Sequence, residues 1–276
     1  VILVDLNQVA FSTITINSGS LTVDENLIRH IILNCIRSYK SKFGKEYGEI
    51  VIATDNREYW RRVYFPYYKA HRKKARDDSG LNWPVIFECM DKIKNELKTV
   101  FPYKFIDVVG AEADDVISII VQEADYNEDI LIISGDKDFI QLQALKPLVK
   151  QWDPIRKRWL NHNNPEGYLA EHIIRGDKGD GIPNIKSASD VFVNGKRQST
   201  ITAGMIAKWS SDGVPEELKS NYNRNKKLID LTQIPKEVKL NIIEEFNKEP
   251  EGSRGLLHNY FFKNNLANLM SSIGDF

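Results

Sequence analysis

Cysteine is nearly absent from this 276-residue chain; Cys35 and Cys89 are the only two. Each stands alone among apolar or amphipathic neighbours. That excludes a disulfide scaffold and a cysteine-built zinc site, and it suits a reducing cytoplasm. No stretch approaches 18 consecutive apolar residues, so no membrane-spanning helix is encoded. No secretory signal precedes the first apolar run. The chain opens at Val1 rather than Met, which leaves an N-terminal segment ahead of it as an expectation. With 16 Gly and 10 Pro, collagen-like and low-complexity classes are excluded. Net charge is also missing, because 38 basic residues balance 38 acidic ones. That balance hides how the charges are segregated. The 42% of hydrophobic residues is enough to build a sizeable core, and the length suits one or two domains.

Short apolar runs alternate with helical patterns. V-I-L-V at 1–4 reads as a buried strand ending at Asp5, followed by a helix over 24–43. A second strand, 49–54, ends at Asp55. Residues 56–83 are polar and aromatic without a clean period. An amphipathic helix is expected over 85–97, with Pro84 near its start. A third strand, 103–109, leads to Gly110 and a helix carrying Glu112, Asp114 and Asp115. A fourth, 129–134, leads to Gly135, Asp136, Lys137 and Asp138. This alternation predicts a parallel α/β sheet. Beyond about 165 the chain is helical, Asn- and Lys-rich and without clear strands. The expected division is 1–165 and 166–276, with the joint near 176–200.

In open α/β sheets, sites lie beyond the carboxyl ends of the strands. Asp5, Asp55, Glu112, Asp114, Asp115, Asp136 and Asp138 all sit there, so they are expected to converge. Acids at helix starts also serve as caps and dipole partners, and Asp24 is read that way. Seven like charges in one cleft, however, repel one another unless cations neutralise them. Oxygen donors without His or Cys select a hard ion, Mg²⁺ or Mn²⁺. Two such ions can activate water and steady a leaving oxygen in phosphodiester hydrolysis. Asp177 and Asp180, three apart in R-G-D-K-G-D-G at 175–181, are read as a second metal position.

Residues 57–76 read REYWRRVYFPYYKAHRKKAR. Eight Lys or Arg stand there against one acid, Glu58, with Tyr59, Trp60, Tyr64, Phe65, Tyr67 and Tyr68 interleaved. Charge for phosphates and flat rings for bases are what single-stranded nucleic acid requires. The competing reading is a solvated charged helix with a few core aromatics. The segment 179–190, G-D-G-I-P-N-I-K-S-A-S-D, reads as a hairpin entering a helix, a form that grips duplex phosphates with backbone N–H groups.

E-A-D-D at 112–115, S-G-D-K-D at 134–138 and G-D-x-x-D-G-I-P at 176–183, in this order after Asp5 and Asp55, resemble the flap endonuclease / 5′–3′ exonuclease family. Y-W-R-R…Y-Y-K-x-x-R at 59–72, L-I-I-S at 131–134 and the closing N-x-L-x-x-L-x-x-S-I at 264–273 resemble its branch of T-even bacteriophage ribonucleases H. The resemblance implies a PIN-like α/β core, a helical arch at 56–84 and a C-terminal helix-three-turn-helix domain. It implies a 5′ nuclease that removes RNA primers and 5′ flaps from DNA and RNA–DNA hybrids in lagging-strand replication. By position, Asp5, Asp55, Glu112, Asp114, Asp136 and Asp138 resemble a first metal cluster. Asp115, Asp177 and Asp180 resemble outer or second-metal ligands. Lys69 and Arg72 match residues that contact the scissile phosphate, Arg61 is their companion, and Tyr68 matches a base-stacking position. Lys73, Lys74, Arg76 and Lys186 complete the expected nucleic-acid contacts. The hairpin departs from the family pattern, with Asn184 and Lys186 standing in place of glycines, and the arch is short.

The tail, 222–276, is expected to pack against the helical domain, with docking of a single-strand-binding protein as the alternative. A clamp-binding segment belongs to the expected N-terminal extension, and a monomer is the default. A non-catalytic nucleic-acid-binding protein is the competing function. A phosphatase needing Asp-x-Asp after strand one is disfavoured by Asn7.

Overall fold

A computed structural model describes residues 1–17 and 24–276. Its sheet has the strand order β3-β2-β1-β4-β5-β6, formed by Ile2–Asp5 (β1), Ile50–Ala53 (β2), Lys104–Ile106 (β3), Ile130–Ile133 (β4), Val149–Asp153 (β5) and Arg158–Trp159 (β6). The first five strands are mutually parallel, and β6 pairs antiparallel with β5. The four expected strands are present; β1 is shifted by one residue, and β2, β3 and β4 are shorter than their expected runs. β5 escaped the sequence reading because V-K-Q-W-D mixes polarities; Gln151 is nevertheless fully buried and donates to the carbonyls of Ser134 and Asp136.

Helices cover both faces, which is why the central parallel strands β1, β2 and β4 read as apolar runs. Ile2, Val4, Ile50, Ile52, Leu131 and Ile133 point to one face. Against it lie α1 (Leu6–Asn17), α2 (Glu25–Tyr47) and, further along, α5 (Trp83–Val100). α1 went unread because its Thr and Ile content favours strands over helices. Asp24 caps α2 as expected, accepting the Leu27 N–H at 2.8 Å. Between β2 and α5 the basic aromatic segment folds as two short helices, α3 (Trp60–Tyr64) and α4 (Arg72–Asp77). Leu3, Val51, Ile106, Ile130 and Ile132 point to the other face, covered by α6 (Ala113–Glu123).

The remaining helices are α7 (Pro165–Arg175), α8 (Ala203–Asp212), α9 (Lys219–Ile229), α10 (Lys236–Phe246), α11 (Arg254–Lys263) and α12 (Ala267–Met270). α7, α8 and α9 pack through two small cores, one around Ile173 and Leu228 that also takes in Phe65 and Tyr68 of the arch, and one around Ile174 with Ile206. The tail meets the expectation in part: residues 222–229 belong to α9 and pack on α7, whereas α10 to α12 pack on the sheet layers. α10 lies against α6 and β3 through Val238 and Ile242, and α11 with Phe276 lies against α5 and the outer face of Phe101. Fully burying such apolar side chains is worth about 1.5–3 kcal/mol each. The tail helices α10 to α12 therefore buttress the β3 side of the sheet and the helices that flank it.

Candidate active site

The loops after β1 to β4 open on one edge. Asp5 ends β1 and accepts the Gln8 N–H at 3.1 Å and the Ser134 hydroxyl at 3.0 Å. Asp55, beyond β2, accepts the Ala113 N–H and the Asn7 amide, both at 2.9 Å. Asp136 follows β4 and caps a 3₁₀ turn (Lys137–Ala144) by accepting the Asp138 N–H at 3.0 Å. Asp114 sits in the first turn of α6, where Asp136 and Asp5 act on it.

Electrostatics mark this group as short of positive charge. Burial, reinforced by Asp55, pushes the Asp5 carboxyl up to about 7. Burial and then Asp136 drive both Asp114 and Asp138 well above the usual carboxylate range. Burial also raises Asp136, with Asp180 and Asp177 adding to it. Among the described residues, the site's ion pairs are made by Glu112, Asp115, Asp138, Asp177 and Asp180, and none reaches Asp5, Asp55, Asp114 or Asp136. Crowded oxygen donors without protein cations fit a hard divalent ion.

The arch brings its cations to the opposite wall. Lys69 Nζ lies 2.6 Å from Glu112 Oε1 and 3.8 Å from Asp180 Oδ2. Burial works to lower its pKa, but Asp180 and Glu112 outweigh this and hold it well above the ordinary lysine value. Lys69 adopts φ +55°, left-handed for a side chain with a Cβ, and its N–H donates to the Asp180 carbonyl at 2.7 Å. Backbone strain of this kind costs about 1–3 kcal/mol and persists where surrounding contacts enforce it. Arg72 pairs with the Asp180 carboxylate and donates from Nε to the Gly179 carbonyl at 2.9 Å.

Two expected nucleic-acid contacts, Arg61 and Tyr68, and one expected metal ligand, Asp115, have a different place. Arg61 is only 2% exposed, and its guanidinium donates to Glu112 at 3.0 Å, Asp115 at 2.9 Å and the Leu228 carbonyl at 2.9 Å. It is a buried strut between the arch, α6 and α9, not a residue facing nucleic acid. Tyr68 is also 2% exposed, so no base can stack on it; its hydroxyl lies 2.7 Å from Asp180 and 3.1 Å from Glu112. Asp115 is fully buried and uses its carboxylate on Arg61, the Trp60 indole and the Glu112 N–H, which removes it from any ligand set. A buried arginine needs carboxylates, and this one recruits two acids that in sequence look like ligands. Glu112 is also buried; burial raises its pKa while Lys69 and Arg61 pull it back.

Asp177 and Asp180 belong to the turn after α7. Gly176 permits that turn, with φ +67° and no room for a Cβ, which would come within 2.3 Å of the Ile182 carbonyl. Asp177 accepts the Asp180 N–H at 2.9 Å. Burial works upward on Asp177, but His172 and the backbone N–H groups of Asp180 and Gly179 outweigh it and hold its pKa low.

His172 was missed. It lies on α7, with Nδ1 3.4 Å from Asp138 and Nε2 3.2 Å from Asp177. Its placement five residues before Asp177, at a helix end leading into the acidic turn, was the available signal. Asn7, Gln8 and Ser134, which orient Asp55, Gly135 and Asp5, were also missed. His258 is exposed on α11.

Lys73 and Lys74 are exposed on α4 beside the site, and Arg76 lies over the Phe87 ring at 5.8 Å. Together with Asp55, Lys69, Arg72 and Tyr59, Arg76 lines a cleft of about 490 Å³ between arch and α5. Lys186 is exposed in the 182–200 loop, where Asn184 bonds to Ser187 and the Ser199 carbonyl.

Comparison with known proteins agrees with this architecture. A family described as "5′-3′ exonuclease, N-terminal resolvase-like domain" matches residues 1–171, and one described as "T4 RNase H, C terminal" matches 164–276. The Ribonuclease H of Enterobacteria phage T4 is 35% identical over 290 residues, spanning 99% of this chain and 95% of that protein. Flap endonuclease Xni of Shewanella putrefaciens is 27% identical over 173 residues, 57% of this chain and 62% of that one. The bacteriophage T5 D15 flap endonuclease, solved as a pseudo-enzyme-product complex with DNA and metal ions, superposes with TM-score 0.60 at 17% identity, over 90% of this chain and 99% of that one. T5 D15 protein co-crystallized with metal ions gives TM-score 0.59, over 88% and 98%. At that identity the T5 structures speak for the fold.

Proposed function

Because the chain belongs to the 5′–3′ exonuclease family, we propose that its sheet-edge acids and arch cations form a Mg²⁺-dependent 5′ nuclease that trims RNA primers and 5′ flaps during lagging-strand replication. The observation that carries this reading is the meeting of unpaired carboxylates with Lys69 and Arg72 across one cleft. In it, residues 1–165, including the arch at 56–84, perform the chemistry, and 166–276 add the duplex grip through α7 to α9. The tail's helices support the sheet.

Asp5, Asp114, Asp136 and Asp138, together with Asp177 and Asp180, would hold two Mg²⁺ ions, replaceable by Mn²⁺, with Asp55 and Glu112 at the rim; bound there, such ions would supply positive charge to the scissile phosphate and make water a stronger acid. The protein's own groups do the rest. Lys69 and Arg72 leave Glu112 and Asp180 for the phosphate oxygens and offset the charge that develops on them. Arg61 and Tyr68 hold Glu112 and Asp180, and so set where those cations stand. Lys73, Lys74 and Arg76 take backbone phosphates leading to the 490 Å³ cleft, where the 5′ single strand enters. Lys186 takes a phosphate of the duplex. The products are a 5′-phosphate and a 3′-hydroxyl.

The substrates are flapped or nicked DNA and RNA–DNA hybrid, met by a monomer in the host cytoplasm, with a single-strand-binding protein and a sliding clamp as partners. The test is a flap duplex labelled at its 5′ end. Short labelled products with Mg²⁺, absent with EDTA, are expected. Intact flap with Mg²⁺, despite binding in a gel shift, would overturn the proposal in favour of a non-catalytic binder.

A further inference from the structure

His172 brings nitrogen to a site otherwise built from oxygen. One atom from each of Asp138, His172 and Asp177 lies within 4.8 Å of the others, all three side chains being partly buried. The ring stands between the two acids, Nδ1 toward Asp138 and Nε2 toward Asp177. The Tyr168 ring meets it edge-on at 5.8 Å and limits its swing. The elements differ too: Asp138 comes from the turn after β4, His172 from the last turn of α7, and Asp177 from the loop beyond it.

A ring placed between two acids in this way can serve as a metal ligand. Such a ring uses one nitrogen on the ion and donates the other N–H to a carboxylate, which fixes tautomer and orientation. Imidazole also changes which ion is preferred. Carboxylate and water suit Mg²⁺, whereas imidazole strengthens binding of first-row transition ions such as Mn²⁺ and Co²⁺.

We propose that His172 is a nitrogen ligand, so that Asp138, His172 and Asp177 form a mixed position that takes Mn²⁺ or Co²⁺ more tightly than Mg²⁺. The inference rests on reading the edge acids as a divalent-metal site. One ring nitrogen joins one acid on the ion, and the other donates to the remaining acid.

The experiment uses the full chain, stripped with chelator and loaded with Mn²⁺. Electron spin-echo modulation reads ¹⁴N coupling from a coordinated imidazole directly, independently of cleavage. Coupling is expected in the native protein and lost in His172→Gln. Calorimetry is expected to show Mn²⁺ and Co²⁺ affinity reduced about tenfold or more in that variant, with Mg²⁺ affinity changed less than about threefold. Bound Mn²⁺ without ¹⁴N coupling in the native protein would overturn the inference and leave the nuclease reading standing. Equal losses for Mn²⁺ and Mg²⁺ would do the same. Failure of the native protein to bind any divalent ion would overturn both. The native spectrum does not depend on whether the variant folds.

Discussion

Replacing Arg61 by Met keeps an unbranched apolar stem and removes the guanidinium with its charge. Three hydrogen bonds disappear, at 2.9–3.0 Å to Glu112, Asp115 and the Leu228 carbonyl. Asp115, fully buried, keeps the Trp60 indole and the Glu112 N–H but has no other cation. Glu112 keeps Lys69 and the Tyr68 hydroxyl. The loss therefore falls mainly on one uncompensated buried carboxylate, and breaking a buried pair this way costs about 3–5 kcal/mol. For a chain of this length each kcal/mol moves Tm by about 2–4 °C, so Arg61→Met should melt roughly 6–20 °C lower. Urea unfolding followed by circular dichroism measures the free energy. Adding Asp115→Asn should recover part of it, because the stranded charge is then gone. If Arg61 instead contacted nucleic acid, stability would change by less than about 1 kcal/mol, while the salt dependence of DNA binding would fall by about 0.9 in log–log slope. That pair of results would refute the strut.

A pH series on metal-free protein tests the acid cluster. Asp5 is raised to about 7 and Asp114, Asp136 and Asp138 are raised as well, so the folded state holds protons that the unfolded chain releases near pH 4. Their contribution is present at low pH and lost as pH rises toward and through 7; Tm in EDTA should thus fall between pH 5 and 8, and Mg²⁺ should restore more at pH 8 than at pH 5. A Tm in EDTA that rises over this interval would contradict the crowding. Lys69→Gln should slow single-turnover cleavage about 10²–10³-fold, as loss of one charge-stabilising donor does, with circular dichroism unchanged. Lys73→Ala with Lys74→Ala should lower the salt slope of DNA binding by up to about 1.8, measured by fluorescence anisotropy. Ile242→Ala should cost about 2–5 kcal/mol in urea unfolding, because Ile242 is fully buried between α10 and α6.

The parallel sheet and its acidic edge were legible because the central strands β1, β2 and β4 are apolar runs, each ending in an acid or followed by one within three residues. The arch was legible as a basic aromatic segment, but the burial of its parts was not. Arg61 and Arg72 look alike in sequence; only the fold shows that one faces two acids inside while the other reaches the cleft. Tyr68 and Tyr67 are adjacent, yet the first is buried and the second 37% exposed. Asp114 and Asp115 point to opposite sides of a helix start, one to the acids and one to Arg61, a distinction of about 100° per residue that composition cannot carry. His172 was hidden because its partners come from separate elements. The docking of the tail on the sheet was hidden for the same reason, since apolar helical spacing says which face is buried but not against what.

The most direct test of the central claim is cleavage of a 5′-end-labelled flap duplex by the native protein and by Asp138→Asn in Mg²⁺, with binding measured in parallel. Asp138 lies at the edge where acids from four strand ends meet, and its substitution removes one charge with little change in shape. The expected result is short 5′ products from the native protein, none from the variant, and flap affinity in the variant equal to or above the native value. Cleavage by Asp138→Asn at the native rate would contradict the assignment of that edge as the catalytic metal site.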